Sequence, residues 1–151
     1  MKTLINKISE ILNKKQKLFH LMEYLKNYEL DLNLDNLNYC DKYYTRNLLY
    51  SDKQFDIYCI HWRKGHKSKI HSHPKNGCLM KIISGKLKEC RYNNDIDKIS
   101  ERELNKNECG YMEGNDILHD IEAIDDTISI HIYSPPKFIP QIYAQKNNDK
   151  N

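Results

Sequence analysis

The chain has 151 residues, which is enough for one domain with a single sizeable core. Hydrophobic residues make up 39% and charged residues 30%, an ordinary soluble composition, and no apolar run approaches the ~20 residues that a membrane-spanning helix needs. The formal net charge of +3 is mild, and lysines alternate with acidic residues, which argues against the strongly basic face of a nucleic-acid-binding domain.

The first third of the chain is predicted to be helical. Apolar residues recur at helical spacing from Leu4 to Leu12 and again from Leu18 to Leu25. We therefore expect residues 1–42 to form an N-terminal helical segment.

From residue 43 onward the pattern changes to short β-strands. Phe55–Trp62 is rich in the aromatic and β-branched residues that favour strands. Further short runs, separated by turn signals, follow at 68–73, 78–84, 86–92, 108–112, 120–124 and 128–133. Many short strands at close spacing predict a β-sandwich or barrel. We expect one domain over residues 1–151, with the barrel at 43–140 and a C-terminal tail at 141–151.

The N-terminus and the cysteines both indicate a cytoplasmic protein. Polar residues interrupt the first apolar stretch, Met1–Lys7, too early for a signal peptide. Five cysteines are an odd number and include no CxxC pair, whereas a secreted disulfide framework normally has an even count. We therefore expect a cytoplasmic location and reduced thiols.

A pair of histidines is the first candidate for chemistry. His71 and His73 flank Ser72, and because side chains alternate along a strand, both imidazoles are expected on one face. Imidazole is the commonest transition-metal ligand, yet a His-x-His pair alone is equally consistent with an ordinary surface pair. His119 lies in a different strand region, where a closed barrel could bring it opposite the pair.

The residues around this pair add a characteristic spacing. Gly65, His71, His73, Cys78 and Gly85 are arranged as Gly-x5-His-x-His-x4-Cys-x6-Gly. This arrangement resembles the first conserved motif of the cupin superfamily, in which a glutamate usually stands where this chain has Cys78. A metal held here would have three neutral histidines and no protein anion, a variant of the two-histidine, one-carboxylate pattern of non-haem iron oxygenases.

Further motifs make the resemblance specific to one family. Tyr43–Leu48, Ile60–His66, His71–Cys78, Gly85–Glu89 and Ser129–Pro136 fall in the order found in the cysteine dioxygenase family, type I. The resemblance implies a mainly β fold, a cupin (double-stranded β-helix or jelly-roll) barrel preceded by N-terminal α-helices. It also implies a non-haem Fe(II) dioxygenase of cysteine catabolism, which oxidises L-cysteine with O2 to cysteine sulfinic acid.

The resemblance assigns a metal site and a substrate site. It implies that His71, His73 and His119 bind Fe(II). It matches Arg46 to the arginine that holds the substrate carboxylate, a role that suits the bidentate guanidinium group. Tyr44 matches a tyrosine that neighbours the substrate.

The resemblance also implies four catalytic residues on two strands. Cys78 and Tyr133 match a pair that many family members join by a thioether crosslink. Ser129 and His131 match a hydrogen-bonded relay that ends at the Tyr133 hydroxyl, and alternation along a strand puts all three on one side. Trp62 matches an aromatic residue that packs behind this site.

Taken singly, these residues have ordinary structural explanations. His131 and Tyr133 could be core side chains, Cys78 a small buried hydrophobe and Arg46 a member of a surface ion pair. Their joint occurrence in family order favours the functional interpretation. The other cysteines and histidines receive no role.

Three other functions stay open at this stage. The chain could oxidise a different small thiol, 3-mercaptopropionate or cysteamine, although Arg46 and Cys78 favour cysteine because the mercaptopropionate group typically lacks both. It could be a zinc or nickel cupin with a non-oxidative role, since three histidines plus water is also a catalytic zinc arrangement. It could be an inactive metal-binding cupin that acts as a sensor. The expected partners are a small thiol and O2, with no nucleic acid or membrane, and the expected state is a monomer.

Overall fold

A computed structural model describes residues 1–146, in which two α-helices precede ten β-strands. The helices are α1 (Lys2–Asn13) and α2 (Met22–Asn27), with 3-10 turns at Leu18–Leu21 and Leu34–Asn36. The strands are β1 (Thr45–Ser51), β2 (Asp56–Trp62), β3 (Ile70–His71), β4 (Cys78–Ser84), β5 (Lys86–Tyr92), β6 (Lys98–Asn105), β7 (Cys109–Met112), β8 (Leu118–Ala123), β9 (Thr127–Tyr133) and β10 (Ile142–Tyr143). None of the described helices is both long enough and apolar enough to cross a bilayer.

The strands form two five-stranded antiparallel sheets that pack face to face. The first sheet has the order β1-β2-β9-β4-β7 and the second the order β10-β3-β8-β5-β6. One buried cluster joins their inner faces, with side chains such as Trp62 and Met80 from the first sheet against Leu87 and Ile121 from the second. The predicted mainly β barrel with N-terminal helices is therefore confirmed.

Side chains of the first sheet point alternately to its two faces. One face packs against the N-terminal helices, and the other faces the barrel interior. In β9, Ile130 and Ile132 pack in the cluster that contains the N-terminal helices. The intervening Ser129 and His131, together with Tyr133, lie on the opposite side of the strand. The helices thus cover the outer face of this sheet, and the polar side chains of β9 lie on the inner face beside the apolar cluster.

A buried lysine attaches the end of α2 to this outer face. Lys81 is 3% exposed, and its ammonium donates to the backbone carbonyls of Leu25 (2.9 Å), Lys26 (3.3 Å) and Tyr28 (2.5 Å). The last carbonyls of a helix have no partner within the helix, so these bonds satisfy groups that would otherwise be left unpaired.

Three strands were not predicted from the sequence: β1, β6 and β10. β6 is the outer strand of its sheet, and only Leu104 in it is buried, so its polar sequence carries no strand pattern. β10 lies in the segment that we predicted to be a tail, and it pairs with β3, which extends the second sheet to Tyr143. Residues 147–151 of that predicted tail lie outside the described residues.

Candidate active site

Three histidines come together on the inner face of the second sheet. His71 in β3 is the direct antiparallel partner of His119 in β8. The strand predicted at 68–73 ends at His71, but the backbone N–H of His73 donates to the Gly114 carbonyl (2.9 Å), and the His71 and His73 ring centroids lie 4.7 Å apart. One ring nitrogen from each histidine lies within 4.8 Å of the others, and Nε2 of His73 is 2.8 Å from Nε2 of His119.

Hydrogen bonds fix the ring orientation of two of these histidines. Nδ1 of His71 donates to the Lys69 carbonyl (2.7 Å), and Nδ1 of His119 donates to the Glu89 carboxylate (2.8 Å). A neutral imidazole that donates from Nδ1 has its lone pair on Nε2, the atom that would bind a metal. Burial and the neighbouring His119 lower the pKa of His71 to about 3, which keeps it neutral. This donor set fits a divalent transition metal such as Fe(II).

Glu89 is a residue of the site that sequence reasoning missed. It is 1% exposed, and besides His119 it contacts Nε of Arg91 (3.0 Å) and Nε of Arg102 (2.9 Å). Burial alone would raise the pKa of its carboxyl, but the hydrogen bond to His119 and the surrounding positive charges lower it to about 2. The sequence contained a signal that could have identified it. Side chains alternate along a strand, and Glu89 lies two residues after Leu87, so both are on the inward face of β5.

A cavity of about 270 Å³ adjoins the three histidines. It is lined by the predicted substrate residues Arg46 and Tyr44. Trp62 also lines it, with its ring stacked on that of Tyr44 at 4.4 Å. No carboxylate lines this cavity, and the Arg46 side chain makes no hydrogen bond or salt bridge within the described part of the chain. Its guanidinium is therefore free to bind an anionic group in the cavity.

A chain of hydrogen bonds orients the Tyr133 hydroxyl. Nε1–H of Trp62 donates to Oγ of Ser129 (2.9 Å), so the single Ser129 proton is available for Nε2 of His131 (2.7 Å). Burial lowers the pKa of His131 well below its usual value, so the ring is neutral and its remaining N–H is on Nδ1. That atom lies 3.5 Å from the Tyr133 oxygen, which leaves the tyrosine proton free to donate elsewhere.

Cys78 and Tyr133 lie side by side on the cavity wall. They are direct cross-strand partners in β4 and β9, and both line the cavity. Burial raises the pKa of the Cys78 thiol to about 12 and that of Tyr133 well above its usual value, so both groups keep their protons at neutral pH. The structure thus brings together all nine predicted site residues, with Ser129 reaching the cavity through His131.

Another histidine of the same motif has a structural contact instead. Nδ1 of His66 accepts from the Arg63 backbone N–H (2.9 Å), and its Nε2 donates to the Asp41 carbonyl (2.9 Å). The ring therefore ties the segment before β1 to the turn after β2, and it does not line the cavity.

The sequence matches the family model for cysteine dioxygenase type I over residues 1–146. The chain belongs to the cysteine dioxygenase type I family. It is 35% identical over 122 residues to cysteine dioxygenase type 1 of Rattus norvegicus and 36% identical to that of Homo sapiens. Each alignment covers 74% of this chain and 61% of the relative, so the chain spans about three-fifths of the length of these relatives.

Solved structures with low sequence identity show the same fold. A protein with a double-stranded β-helix domain from Klebsiella pneumoniae superposes with a TM-score of 0.63 at 13% identity, covering 78% of this chain and 100% of that one. An RmlC-like cupin protein from Desulfovibrio desulfuricans gives a TM-score of 0.55 at 14% identity, covering 73% and 99%. The cupin fold expected from the sequence is therefore confirmed.

Proposed function

We propose that this chain is an iron-dependent thiol dioxygenase that converts L-cysteine and O2 into cysteine sulfinic acid. The observation that carries the proposal is the cavity in which the three-histidine donor set and the unpaired Arg46 guanidinium occur together. Membership of the cysteine dioxygenase type I family supports it. Fe(II) held by His71, His73 and His119 would supply a Lewis acid that favours the thiolate and a redox centre where thiolate and O2 meet.

The protein residues would orient the substrate by its carboxylate. Arg46 would pair with that carboxylate through two parallel N–H···O bonds, which gives cysteine one orientation in the cavity. Two S–O bonds form and the O–O bond breaks, and the sulfur supplies all four electrons, so no outside reductant is needed. Cysteamine has no carboxylate, and the unpaired Arg46 therefore argues against it as the main substrate.

Tyr133 would act as a hydrogen-bond donor to the reacting substrate. Its hydroxyl accepts from His131 in the orientation derived above, and its own proton is free. The relay through His131 and Ser129 would keep this orientation during the reaction. Tyr44 and Trp62, stacked on each other, would exclude water from one wall of the cavity.

We also propose that a thioether crosslink forms between Cys78 and Tyr133. Their direct cross-strand pairing supports it. The S–C bond would replace the thiol S–H and one ring C–H bond, with two electrons and two protons passing to O2 to give hydrogen peroxide. Intact mass spectrometry after aerobic incubation with iron and cysteine should show the loss of two hydrogen atoms, and Cys78→Ser protein should show none.

The cellular setting proposed for the protein follows from its thiols. All five cysteines are free, which supports a reducing compartment and hence the cytoplasm. The protein is also proposed to be a monomer. Size-exclusion chromatography would test its oligomeric state, and cell fractionation would test its location.

The direct test is anaerobic reconstitution with Fe(II), followed by oxygen uptake with L-cysteine and detection of the sulfinate by mass spectrometry. We expect one O2 consumed for each sulfinate formed. The panel should include 3-mercaptopropionate, which also carries a carboxylate, and cysteamine. Iron binding without any thiol-dependent oxygen uptake would overturn the dioxygenase proposal and favour a binding role.

A further inference from the structure

Tyr58 lies behind Arg46 on the inner side of the first sheet. In the β1–β2 register Arg46 is paired with Ile60 and Leu48 with Tyr58, so Arg46 and Tyr58 are diagonal neighbours on one face. The Arg46 guanidinium carbon lies 4.3 Å from the centre of the Tyr58 ring. This contact could not be read from the sequence, because it depends on strand register.

Tyr58 also contacts Tyr133, a proposed catalytic residue that lines the cavity. Its ring contacts Tyr133 edge to face at 5.8 Å, and Arg46 lies 5.2 Å from the centre of the Tyr133 ring. Tyr58 does not line the cavity, and its hydroxyl makes no hydrogen bond within the described part of the chain. Any effect that Tyr58 has on a bound substrate must therefore pass through its neighbours.

An aromatic face is well suited to hold this arginine. Arg46 is solvent-exposed at the edge of the cavity, so its long side chain would otherwise sample many rotamers. A carboxylate partner would restrain it but would also occupy its N–H groups and neutralise its charge. A ring face attracts the guanidinium through its quadrupole and leaves those donors free for a ligand.

We propose that Tyr58 is a positioning residue that holds Arg46 toward the cavity and so favours thiols that carry a carboxylate. The inference rests on the proposed function, because it takes Arg46 as the group that binds the substrate carboxylate. Tyr58 acts on the carboxylate end of the substrate through Arg46, whereas the Tyr133 hydroxyl keeps its orientation from His131 and does not depend on the edge contact with Tyr58.

The test compares two thiols in variants that remove or keep the ring. Tyr58→Leu should raise KM for L-cysteine about 2- to 5-fold with kcat unchanged, the range expected for an exposed cation–π contact. KM for cysteamine should not change. Tyr58→Phe keeps the ring and should behave as wild type. Equal effects of Tyr58→Leu on both thiols, or a Phe variant as impaired as the Leu variant, would overturn the inference.

Controls separate positioning from a general loss of stability. Tyr39 packs edge-on against His61 on the outer face of the same strand (4.1 Å), so Tyr39→Leu removes an aromatic contact of β2 without touching Arg46. Its KM values should equal those of wild type. In an Arg46→Ala background, Tyr58→Leu should have no further effect on KM for cysteine. If Tyr58→Leu does not fold, Tyr58→Met removes the ring with a more adaptable side chain.

Anaerobic calorimetry with the iron-loaded protein distinguishes failure of the proposed function from failure of the inference about Tyr58. It measures cysteine binding without turnover, and Tyr58→Leu should weaken that binding by the same factor as KM. A wild type that binds cysteine but does not oxidise it contradicts the proposed function alone. A wild type that oxidises cysteine, with equal affinities in the Leu and Phe variants, contradicts only the inference about Tyr58. No binding of cysteine at all overturns both.

Discussion

The carboxylate of Glu89 accepts a hydrogen bond from Nδ1 of His119 across strands β5 and β8, at 2.8 Å. The acceptor is itself buried and held by two arginine side chains, so it has little freedom to move. A carboxylate in this position orients the imidazole and increases its basicity toward a metal. The geometry of the three-histidine site therefore depends on a fourth residue that is not itself a candidate ligand.

Glu89→Gln should weaken metal binding. The amide keeps the size of the side chain but lacks the negative charge, and the loss of such a partner typically costs about 10- to 100-fold in affinity. Anaerobic titration of Fe(II) against a competing chelator would measure it. Glu103→Gln is the matched control, since Glu103 pairs with Lys86 at an exposed position (3.5 Å). Equal affinities in the two variants would show that Glu89 does not support the ligand.

Arg46→Ala should impair the use of cysteine selectively. A charge-assisted hydrogen-bond pair contributes about 1.5–3 kcal/mol, so kcat/KM for L-cysteine should fall about 10- to 150-fold. Arg46→Lys keeps the charge without the planar fork and should recover only part of the loss. Steady-state oxygen uptake with cysteine and cysteamine would measure both variants. An unchanged KM for cysteine in the Ala variant would rule out the carboxylate contact.

Ser129→Ala should reduce both stability and turnover. It leaves the buried Trp62 N–H and Nε2 of His131 without their shared partner, which should lower the free energy of unfolding by about 1–3 kcal/mol. Loss of the fixed His131 orientation should lower kcat more than it changes KM. Urea denaturation and oxygen uptake measure the two effects, with the exposed Ser100→Ala as control. Retention of full kcat would exclude a role for the relay.

Lys81→Met should loosen the contact between α2 and the first sheet. Methionine has a similar shape, but it cannot donate to the carbonyls of Leu25, Lys26 and Tyr28. We expect a loss of about 1–3 kcal/mol in unfolding free energy, because the carbonyls lose their partner in a buried place. Amide hydrogen exchange should rise in α2 and stay unchanged in β8. Equal exchange in both proteins would contradict the anchoring role.

The cysteines should react with iodoacetamide in an order set by their environments. Backbone N–H groups of Lys42 and Tyr43 lower the pKa of the Cys40 thiol, whereas burial raises that of Cys78 to about 12. In metal-free protein at neutral pH, Cys40 should be alkylated before Cys78. Peptide mass spectrometry gives the order, and urea should remove the difference. Early labelling of Cys78 in the folded protein would contradict its buried position.

The sequence predicted the strands that are rich in buried apolar residues. Phe55–Trp62 was found because aromatic and β-branched residues recur there, and 78–84 because it is rich in apolar residues; the structure contains them as Asp56–Trp62 and Cys78–Ser84. Lys98–Asn105 was missed because an edge strand in which only Leu104 is buried has no apolar alternation.

The residues of the candidate site were predicted from the sequence, but the residues that support them were not. His71, His73 and His119 could be named as candidate metal ligands because of the His-x-His spacing and, above all, the family resemblance. Glu89 and Tyr58 were missed because their roles come from strand register, which places residues from different strands side by side. Register depends on tertiary packing, and a single sequence does not show it.

His71 and His119 differ in how well the contacts that orient them tolerate substitution of the supporting residue. His119 depends on the side chain of Glu89, so one nucleotide substitution can abolish its support. His71 depends on the main-chain carbonyl of Lys69, which every amino acid possesses. A substitution at position 69 therefore leaves the carbonyl that accepts from His71 in place, and as far as this contact is concerned lineages should vary there more freely than at position 89.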